Sequence, residues 1–475
     1  MKPLDCWPLS SREQLVGLFT DIDDTLTSDG RITSDALHAL LELQRAGLMV
    51  VPITGRPVGW SLPFAAAWPV DALVAENGAV ALLPDGRRLY MQDADTRAAN
   101  FAAMQRVASR VLAEVPGAAL SRDSHGRETD IAFDHSEFNS MPQEQIDAVV
   151  ELLRLEGMSA TVSSIHINAW FGTHNKWAGA EWVLRELTGR CLSDEIDNWA
   201  FVGDSTNDQA MFERFPHSIG VANIRRFERQ LRCLPTYIAP SERGAGFAEA
   251  AIKALEGARE RSLRAAWSRC GWSSGPAEWR LLDYVRARYS EPHRRYHTLR
   301  HLHELLMELQ LCAQQVADER AVLLAIFFHD IEYETAEPAL RASNEERSAQ
   351  TFRRECAELL CGEPLLVDTV CGYILATKLH SPEAGLGADA QLFLDLDMSI
   401  LGQPQRRYDE YAADIRAEYC SLDDGCFAAA RAAALRGFLQ RHIFGTPRLR
   451  DRYEAAARDN IARELAALMP GRGAA

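Results

Sequence analysis

Residues 15–27, LVGLFTDIDDTLT, combine a short apolar run with a cluster of acidic side chains. The run LVGLF has the length and composition of a buried strand in a parallel sheet. Asp21, Asp23 and Asp24 follow directly, so we expect them at the carboxyl end of that strand, where open α/β sheets bind ligands. Two such carboxylates can share one Mg²⁺ while one attacks a phosphorus atom and the other protonates the leaving oxygen. A solvated acidic turn is the alternative for this motif taken alone.

A second strand and turn follow a predicted helix at residues 34–46. The apolar residues 48–51 predict the strand, and PITGRP follows it. Thr54 could donate a hydrogen bond to a phosphoryl oxygen, and Gly55 would let the backbone approach closely. The β–α–β order indicates a parallel sheet, although an ordinary loop remains the alternative for Thr54 considered alone.

Later segments add charged side chains. A strand predicted at residues 199–202 ends in GDSTND, which contains Asp204 and Asp208. Lys176 is predicted at the start of a helix, where a positive charge is unfavourable in the helix dipole. One explanation is that its ammonium group is needed beside carboxylates and a phosphate. A lysine that faces solvent is the alternative.

Residues 84–165 interrupt the alternation of strands and helices. They contain helical patterns at 95–114 and 143–157 and a polar strand candidate near 129–133. We therefore predict an inserted α+β unit, and such units often act as lids that exclude water and select substrate. The main sheet is expected to resume at residues 165–168.

In order and spacing, DIDDT, ITGR, Lys176 and GDSTND resemble the motifs of haloacid-dehalogenase-type (HAD) phosphatases. The AENGA stretch and the insert resemble the subgroup with an α/β cap, which includes sugar-phosphate phosphatases. The resemblance covers about residues 14–250. It implies an α/β Rossmann-like HAD core with an inserted α+β cap, and a phosphatase that uses Mg²⁺.

The resemblance also implies roles for single residues. Asp21 would be the nucleophile that forms an aspartyl-phosphate, and Asp23 would be the general acid and base. Thr54 and Lys176 would hold the transferring phosphoryl group. The Mg²⁺ ligands would be Asp21, Asp204, Asp208 and the backbone carbonyl of Asp23. The remaining motif residues assigned to phosphate or substrate binding are Gly55, Arg56, Asn77 and Asn207.

From about residue 278 onward only helical periodicity remains, which predicts an α-helical bundle. Histidine and aspartate residues occur in it at spacings that suit a metal ion: His297, His301, His329, Asp330, Asp395 and Asp397. His297 and His301 share one face of a helix start, being four positions apart. An unpaired Asp330 at the end of the apolar run LLAIFF would be costly. A metal site is therefore favoured, although a lone helical histidine is more often a packed or surface residue.

The segments YHTLRH, FFHD, NEERSA, TKLH and LDLDMSILG resemble a metal-dependent HD-domain phosphohydrolase over about residues 280–468. The resemblance implies attack of metal-bound water on a phosphoester, with Mn²⁺, Fe²⁺ or Co²⁺ as the metal. The implied ligands are His301, His329, Asp330 and Asp397, with Asp395 as a substitute for the last. The implied general acid is His297, and the candidates for a general base or a second metal are Glu345 and His380.

At 475 residues the chain is too long for one core. We predict a HAD-like domain at 1–255 with its cap at about 84–165, a linker at 256–276, and an all-α HD-type domain at 277–475. The predicted function is a bifunctional phosphohydrolase: the first domain acts on a small phosphorylated metabolite such as a sugar phosphate, the second on another, nucleotide-like phosphoester. The alternative is a single HAD phosphatase regulated by a ligand-binding, non-catalytic HD domain.

The net charge of −16 argues against nucleic acid or an anionic membrane as the main partner. No apolar run approaches the ~18 residues of a membrane span, and the first residues lack the apolar core of a signal peptide. The ten cysteines contain no CxxC pair, which is typical of reduced thiols. We therefore expect a cytoplasmic protein whose partners are small phosphorylated metabolites. The sequence does not indicate an oligomeric state.

Overall fold

The chain folds into two units, Met1–Glu260 and Arg261–Ala475, each with its own hydrophobic core. The structure is a computed structural model and describes residues 1–163, 165–272, 275–341, 343–381 and 386–468. Within these ranges we find no helix with the length and apolarity needed to cross a membrane.

The first unit is organised around a six-stranded sheet in which every neighbouring pair is parallel. The strands, in spatial order, are Lys2–Pro3, Tyr237–Ile238, His217–Gly220, Trp199–Gly203, Gly17–Thr20 and Met49–Pro52. Its α-helices are Leu9–Arg12, Ser34–Arg45, Val58–Ala67, Ala94–Glu114, Gln143–Leu155, Lys176–Thr188, Gln209–Phe212 and Arg243–Arg269. The predicted α/β core with a parallel sheet is confirmed.

The register of the central strands explains why the acidic motifs meet. Thr20 pairs with Val202 on one side and with Pro52 on the other. Parallel strands in register end at the same edge of the sheet. The residues that follow these three strands, among them Asp21, Thr54 and Asp204, therefore emerge side by side.

Two smaller sheets accompany the core. The strands Leu73–Ala75, Val80–Leu82 and Arg88–Tyr90 form an antiparallel sheet, and the hairpin Thr27–Ser28 with Arg31–Ile32 follows the first acidic motif. A single parallel bridge between Ile53 and Val74 joins the first of these sheets to the core.

The inserted cap has its own sheet and its own apolar core. The cap strands are Ser159–Val162, His166–Trp170 and Ile131–Asp134, in that spatial order. The prediction that the main sheet resumes at residues 165–168 is wrong, because His166–Trp170 pairs antiparallel with both other cap strands. The sequence of this strand shows that it is buried, but burial does not reveal which sheet contains it. The cap therefore extends beyond residue 165.

The second unit is helical, as predicted, and its described residues contain no strand. Its α-helices are Pro276–Tyr289, Leu299–Leu311, Glu319–Phe328, Pro338–Arg341, Asn344–Glu355, Pro364–Ala376, Gly387–Asp397, Gln405–Glu418, Asp424–Leu439 and Pro447–Leu468. The helix Glu319–Phe328 is its centre, since every residue from Ala321 onward is completely buried. That helix ends at His329.

The predicted linker at 256–276 is mostly helix. Arg243–Arg269 continues without a break through residues 256–269, and the division between the units falls inside it, after Glu260. The charged composition of residues 256–269 is compatible with a helix. Residues 273 and 274 of the predicted linker lie outside the described residues.

Candidate active sites

Lys176 lies between two carboxylates of the first unit. Its Nζ is 2.5 Å from Asp21 Oδ1 and 2.7 Å from Asp208 Oδ1, and all three side chains are buried. The side chain of Asn175 caps the helix that Lys176 begins, by accepting from Ala178 N. Burial lowers the pKa of Lys176, but Asp208 and Asp21 outweigh that effect and raise it. The lysine therefore keeps its charge inside the acidic cluster.

Asp204 and Asp208 follow the neighbouring strand. Asp204 Oδ2 accepts from Asn223 Nδ2 at 2.9 Å, whereas its Oδ1 is buried and has no hydrogen-bond partner in the described part of the chain. Asp208 Oδ2 accepts from the backbone N–H of Asp204 at 3.0 Å. Sequence analysis missed Asn223, which lies far along the chain from the acidic motifs and in no recognised pattern.

The three carboxylates Asp21, Asp204 and Asp208 fit a divalent cation. Each offers an oxygen within 4.8 Å of the other two. Burial raises the pKa of Asp21 to about 7, with Lys176 opposing and Asp208 adding to the shift. Burial and the charges of Asp21 and Asp208 also raise the pKa of Asp204 well above its usual range. A hard cation with oxygen ligands would relieve this repulsion and give the unpartnered oxygen of Asp204 a partner.

Arg56 joins Asp23 to the cap. Its guanidinium contacts Asp23 Oδ1 at 2.9 Å, Glu137 Oε1 at 2.9 Å and Asp123 Oδ2 at 3.4 Å. Glu137 Oε2 in turn lies 2.9 Å from His166 Nε2. The sequence assigned Arg56 to phosphate or substrate binding, and in the structure three carboxylates engage its charge.

Thr54, Gly55 and Asn207 line a small cavity together with Asp21 and Asp23. The cap residues His166 and Asn168 complete its wall, and its volume of about 10 Å³ holds roughly one water molecule. Two further contacts involve predicted site residues: Thr54 Oγ1 accepts from Arg56 N at 3.0 Å, and Asn207 Oδ1 accepts from Ser205 Oγ at 2.8 Å. The polar core motifs and the cap therefore close over the acidic cluster.

Asn77 has a different position from the other predicted binding residues. It adopts a left-handed conformation, with φ of 54°, and its Nδ2 lies 3.4 Å from Asp130 Oδ2 in the cap. Arg127 Nη1 donates to Asp130 Oδ1 at 2.7 Å and to the carbonyl of Gly55 at 3.0 Å. Asn77 thus belongs to a buried network that ties the cap to the core.

In the second unit, four predicted metal ligands converge from three helices. His329 and Asp330 follow the buried central helix, His301 lies in the first turn of another helix, and Asp397 ends a third. His329 Nε2 lies 3.1 Å from His301 Nε2 and 3.1 Å from Asp330 Oδ2. Asp397 Oδ1 lies 3.3 Å from His301 Nε2 and 3.6 Å from His329 Nε2.

These four groups fit a transition metal. Ligand atoms about 2.1 Å from one ion lie roughly 3 Å from each other, and mixed imidazole and carboxylate sets suit such ions. His329 Nδ1 is 3.0 Å from the carbonyl of Ile326, which can only accept, so this nitrogen carries the proton and Nε2 is free to bind. Burial alone would raise the pKa of Asp330, but the charges of His329 and His297 outweigh it and lower the pKa.

Asp395 and Asp397, which the sequence left as alternatives, have separate surroundings. Asp395 Oδ2 accepts from Thr446 N and Oγ1, each at 2.6 Å, and its Oδ1 accepts from Gly445 N at 2.8 Å. Asp395 therefore anchors the segment before the last helix, and Asp397 is the one beside the histidines. His380 Nε2 also lies near Asp397, 3.4 Å from its Oδ2.

His297 is held by Glu418, which sequence analysis did not single out. His297 Nδ1 lies 2.7 Å from Glu418 Oε2, and its Nε2 lies 3.7 Å from Asp330 Oδ2. Glu418 Oε1 also accepts from the backbone N–H groups of Arg295, Tyr296 and His297 at 2.7 to 2.9 Å. Glu418 ends a helix, where a carboxylate is unfavourable, and that misplaced charge is the signal that could have identified it.

Glu345, the predicted general-base candidate, is half-buried near the start of its helix. Burial raises its pKa, and the charge of Asp330 adds to the shift. The charge of the His/Asp cluster therefore affects the pKa of this carboxylate.

Comparison with known proteins finds a similarity to one family in the first unit. Residues 18–109 match one protein family, described as haloacid dehalogenase-like hydrolase. The matched segment contains Asp21, Asp23, Thr54, Arg56 and Asn77. Within the first unit, residues 18–109 are therefore similar to haloacid dehalogenase-like hydrolases. No curated protein matches the chain at a significant level.

Several solved structures resemble about half of the chain. A protein from Thermoplasma acidophilum is 18% identical, covers 51% of this chain and 99% of its own, and has a TM-score of 0.41. Sucrose-phosphatase from Synechocystis sp., solved with sucrose and phosphate, is 19% identical, with coverages of 51% and 98% and a TM-score of 0.40. The C-terminal domain of trehalose-6-phosphate phosphatase from C. albicans is 13% identical, with coverages of 52% and 94% and a TM-score of 0.39.

Proposed function

We propose that this chain is a bifunctional phosphohydrolase. The first unit would be an Mg²⁺-dependent phosphatase for a small phosphorylated metabolite, with a sugar phosphate as the favoured class. The second unit would be a metal-dependent phosphohydrolase of the HD type for another phosphoester. The supporting observation is that, in each unit, residues distant in sequence converge on a buried cluster suited to a cation. The proposed setting is the cytoplasm, without a nucleic acid or membrane partner.

In the first unit, Asp21 would act as the nucleophile. Its carboxylate oxygen forms a bond to phosphorus while the bond from phosphorus to the ester oxygen breaks, and Asp23 gives that oxygen a proton. Water then attacks the phosphorus of the aspartyl-phosphate, returns a proton to Asp23 and releases inorganic phosphate. Thr54 and Lys176 orient the phosphoryl group.

Mg²⁺ would be held by Asp21, Asp204, Asp208 and the carbonyl of Asp23. When bound, it supplies compensation for the negative charge of the phosphoryl group. The side chains of the cap favour a sugar-like leaving group. His166 and Asn168 line the cavity with polar atoms, and Glu137 forms ion pairs with Arg56 and His166. Such groups can hydrogen-bond to hydroxyls.

In the second unit, His301, His329, Asp330 and Asp397 would hold Mn²⁺, Fe²⁺ or Co²⁺. Such an ion, when bound, supplies a water molecule that is acidic enough to lose a proton near neutral pH. The hydrogen bond from Nδ1 to Glu418 orients His297, so that its Nε2 can give a proton to the leaving oxygen. Glu345 and His380 remain candidates for the general base or a second metal.

Phosphate release from a panel of sugar phosphates and nucleotides, with Mg²⁺ or Mn²⁺, tests both halves of the proposal. The comparison uses the wild type, Asp21→Asn and Asp330→Ala, with Asp85→Asn and Asp424→Asn as controls at exposed aspartates of the two units. If each site variant abolishes a different activity and the controls abolish none, the bifunctional proposal is supported.

The alternative is that the second unit binds a ligand and regulates a single phosphatase. In that case Asp21→Asn removes every activity, and Asp330→Ala changes only the response to added metabolites. A metal analysis of the purified protein that finds no transition metal would also favour the regulator.

A further inference from the structure

A cavity of about 420 Å³ lies beside the His/Asp cluster of the second unit. His297, His380 and Asp397 line one part of it. The remaining wall is mostly aromatic or aliphatic, and its aromatic members are Tyr296, Tyr333, Tyr411, Tyr419, Phe427 and Phe438. The volume is within the range of pockets that bind small molecules, and such pockets are mostly apolar with a few placed polar groups.

One helix forms a continuous side of this cavity. In Asp424–Leu439, the lining positions Phe427, Ala430, Ala434 and Phe438 are spaced three or four residues apart and therefore share one face. The two alanines leave open space between the two phenylalanines. A larger side chain at Ala434 would project into that space.

Some polar side chains of the wall already have hydrogen-bond partners, whereas the buried hydroxyl of Tyr296 has none among the described residues. Arg431 Nε donates to Glu464 Oε1 at 2.8 Å, and its Nη1 donates to the hydroxyl of Tyr411 at 3.1 Å. A sugar has several hydroxyls and this wall offers few free polar groups to pair with them, whereas an apolar group would need none.

Arg341 brings a positive charge to this wall. It lines the cavity, its Nη1 donates to the carbonyl of Thr335 at 3.0 Å, and it forms no ion pair with any residue that the structure describes. A cation of this kind suits an anionic group of a ligand. The cavity thus combines a cation and the His/Asp cluster with an otherwise apolar wall.

We propose that this cavity receives the apolar part, aromatic or branched aliphatic, of the second unit's substrate, with the phosphoester at the His/Asp cluster. This inference rests on the function proposed for the second unit and narrows its substrate class. Sugar phosphates, and phosphoesters of small polar alcohols, would match this wall less well. Nucleotides are a poor match, since a ribose would meet the same wall.

Direct binding tests the proposal without relying on turnover. The full chain, loaded with Mn²⁺, is titrated by calorimetry with 1-naphthylphosphonate and with methylphosphonate, which share the phosphonate group and differ in the apolar part. We expect naphthylphosphonate to bind at least tenfold more tightly. Methylphosphonate binding with equal or greater affinity would overturn the proposal.

Two tryptophan variants on the same helix test whether naphthylphosphonate binds in this cavity. Both alanines are exposed, but Ala434→Trp places a large side chain at a position that lines the cavity, whereas Ala433 does not line it. We expect Ala434→Trp to weaken naphthylphosphonate binding at least tenfold and to leave bound manganese and methylphosphonate binding unchanged, with Ala433→Trp close to wild type. Equal effects of the two variants would contradict the proposal. If Ala434→Trp lowers the melting temperature, Ala434→Met provides the same comparison with a smaller side chain.

Hydrolysis assays distinguish failure of this proposal from failure of the phosphohydrolase function on which it rests. If 1-naphthyl phosphate is hydrolysed in an Asp330-dependent manner that Ala434→Trp impairs, both stand. If sugar phosphates or nucleotides are the Asp330-dependent substrates and naphthylphosphonate does not bind, the phosphohydrolase remains and the apolar class is overturned. If naphthylphosphonate binding depends on Ala434 but Asp330 affects no hydrolysis, the cavity is a ligand site and the catalytic function fails.

Discussion

The two candidate sites differ in how the fold builds them. In the first unit the acidic residues follow parallel strands, so the register of the sheet alone places Asp21 beside Asp204. In the second unit the His/Asp cluster joins the ends of separate helices, and only the packing of the bundle brings His301 to His329. A strand-end site can therefore be recognised from short local motifs, whereas a helical site depends on contacts between distant segments.

The sites also differ in charge and in the space beside them. The first contains three carboxylates and a lysine next to a cavity of about 10 Å³ with polar walls. The second contains two imidazoles and two carboxylates next to a cavity of about 420 Å³ with mostly apolar walls. Oxygen ligands favour Mg²⁺, and imidazoles favour transition metals. This difference is the reason for proposing two metals and two classes of substrate.

The largest effect is expected from Asp21→Asn. The amide has nearly the same shape but cannot act as the nucleophile, so Mg²⁺-dependent phosphate release should fall by about a thousandfold or more. Activity that depends on Asp330 should stay within about twofold of wild type. Steady-state rates with one substrate for each unit provide the measurement. Equal loss of both activities would show that the two sites do not work independently.

The next largest effect is expected from Asp397→Asn, which removes one charged ligand from the helical site. We expect the affinity for Mn²⁺ to fall by about a hundredfold, with Mg²⁺-dependent activity of the first unit unchanged. Metal content after dialysis against a chelator of known affinity measures this. Asp395→Asn is the matched comparison, because that residue binds backbone groups of Gly445 and Thr446. The Asp395→Asn variant should retain Mn²⁺ but have a lower melting temperature. If Asp395→Asn loses Mn²⁺ and Asp397→Asn retains it, Asp395 rather than Asp397 is the metal ligand.

Glu418→Gln should lower the stability of the second unit without removing a predicted metal ligand. Losing the charge that accepts three backbone N–H groups and pairs with His297 should cost about 2 kcal/mol in the free energy of unfolding. Denaturant unfolding at pH 7 measures the change. Turnover by the second unit should fall more than substrate affinity, because His297 would lose its orientation. A variant as stable as wild type would show that Glu418 does not hold this segment.

The same residue predicts a pH dependence. Burial would raise the pKa of Glu418, but His297 and the backbone N–H groups outweigh it and lower the pKa from its ordinary 4.5 to about 2. A depressed carboxylate pKa stabilises the fold above the ordinary value, and this contribution is lost as the pH falls toward the folded value. The stability difference between wild type and Glu418→Gln should therefore shrink below about pH 4.5. A difference that grows as the pH falls would contradict this account.

The smallest effect is expected from Glu137→Gln in the cap. This change weakens the contact between the cap and Arg56, which also pairs with Asp23. We expect a rise of about threefold to tenfold in the KM of the first unit, with a smaller change in kcat. Glu151→Gln, at an exposed position of the cap, is the control and should leave both constants unchanged. If neither KM nor kcat changes in Glu137→Gln, the contact between Glu137 and Arg56 does not control closure of the cap.

Many elements of both units could be predicted from the sequence because their signals are local. The strands Gly17–Thr20 and Trp199–Gly203 are apolar runs, and each is followed directly by acidic residues. The start of a helix at Lys176 and the apolar helix before His329 were equally readable. Parallel strands bring their carboxyl ends together by necessity, so the order of motifs was enough to group Asp21, Thr54 and Asp204.

Other features were decided only by tertiary structure. His166–Trp170 would be buried in either the core sheet or the cap sheet. Only its pairing with the two other cap strands shows that it belongs to the cap. Asp395 and Asp397 lie two positions apart on one helix, about 200° around its axis, so packing determines which one meets the histidines. The pairing of Glu418 with His297 spans more than a hundred residues. Local periodicity determines which side chains are buried, but long-range packing determines which buried groups meet.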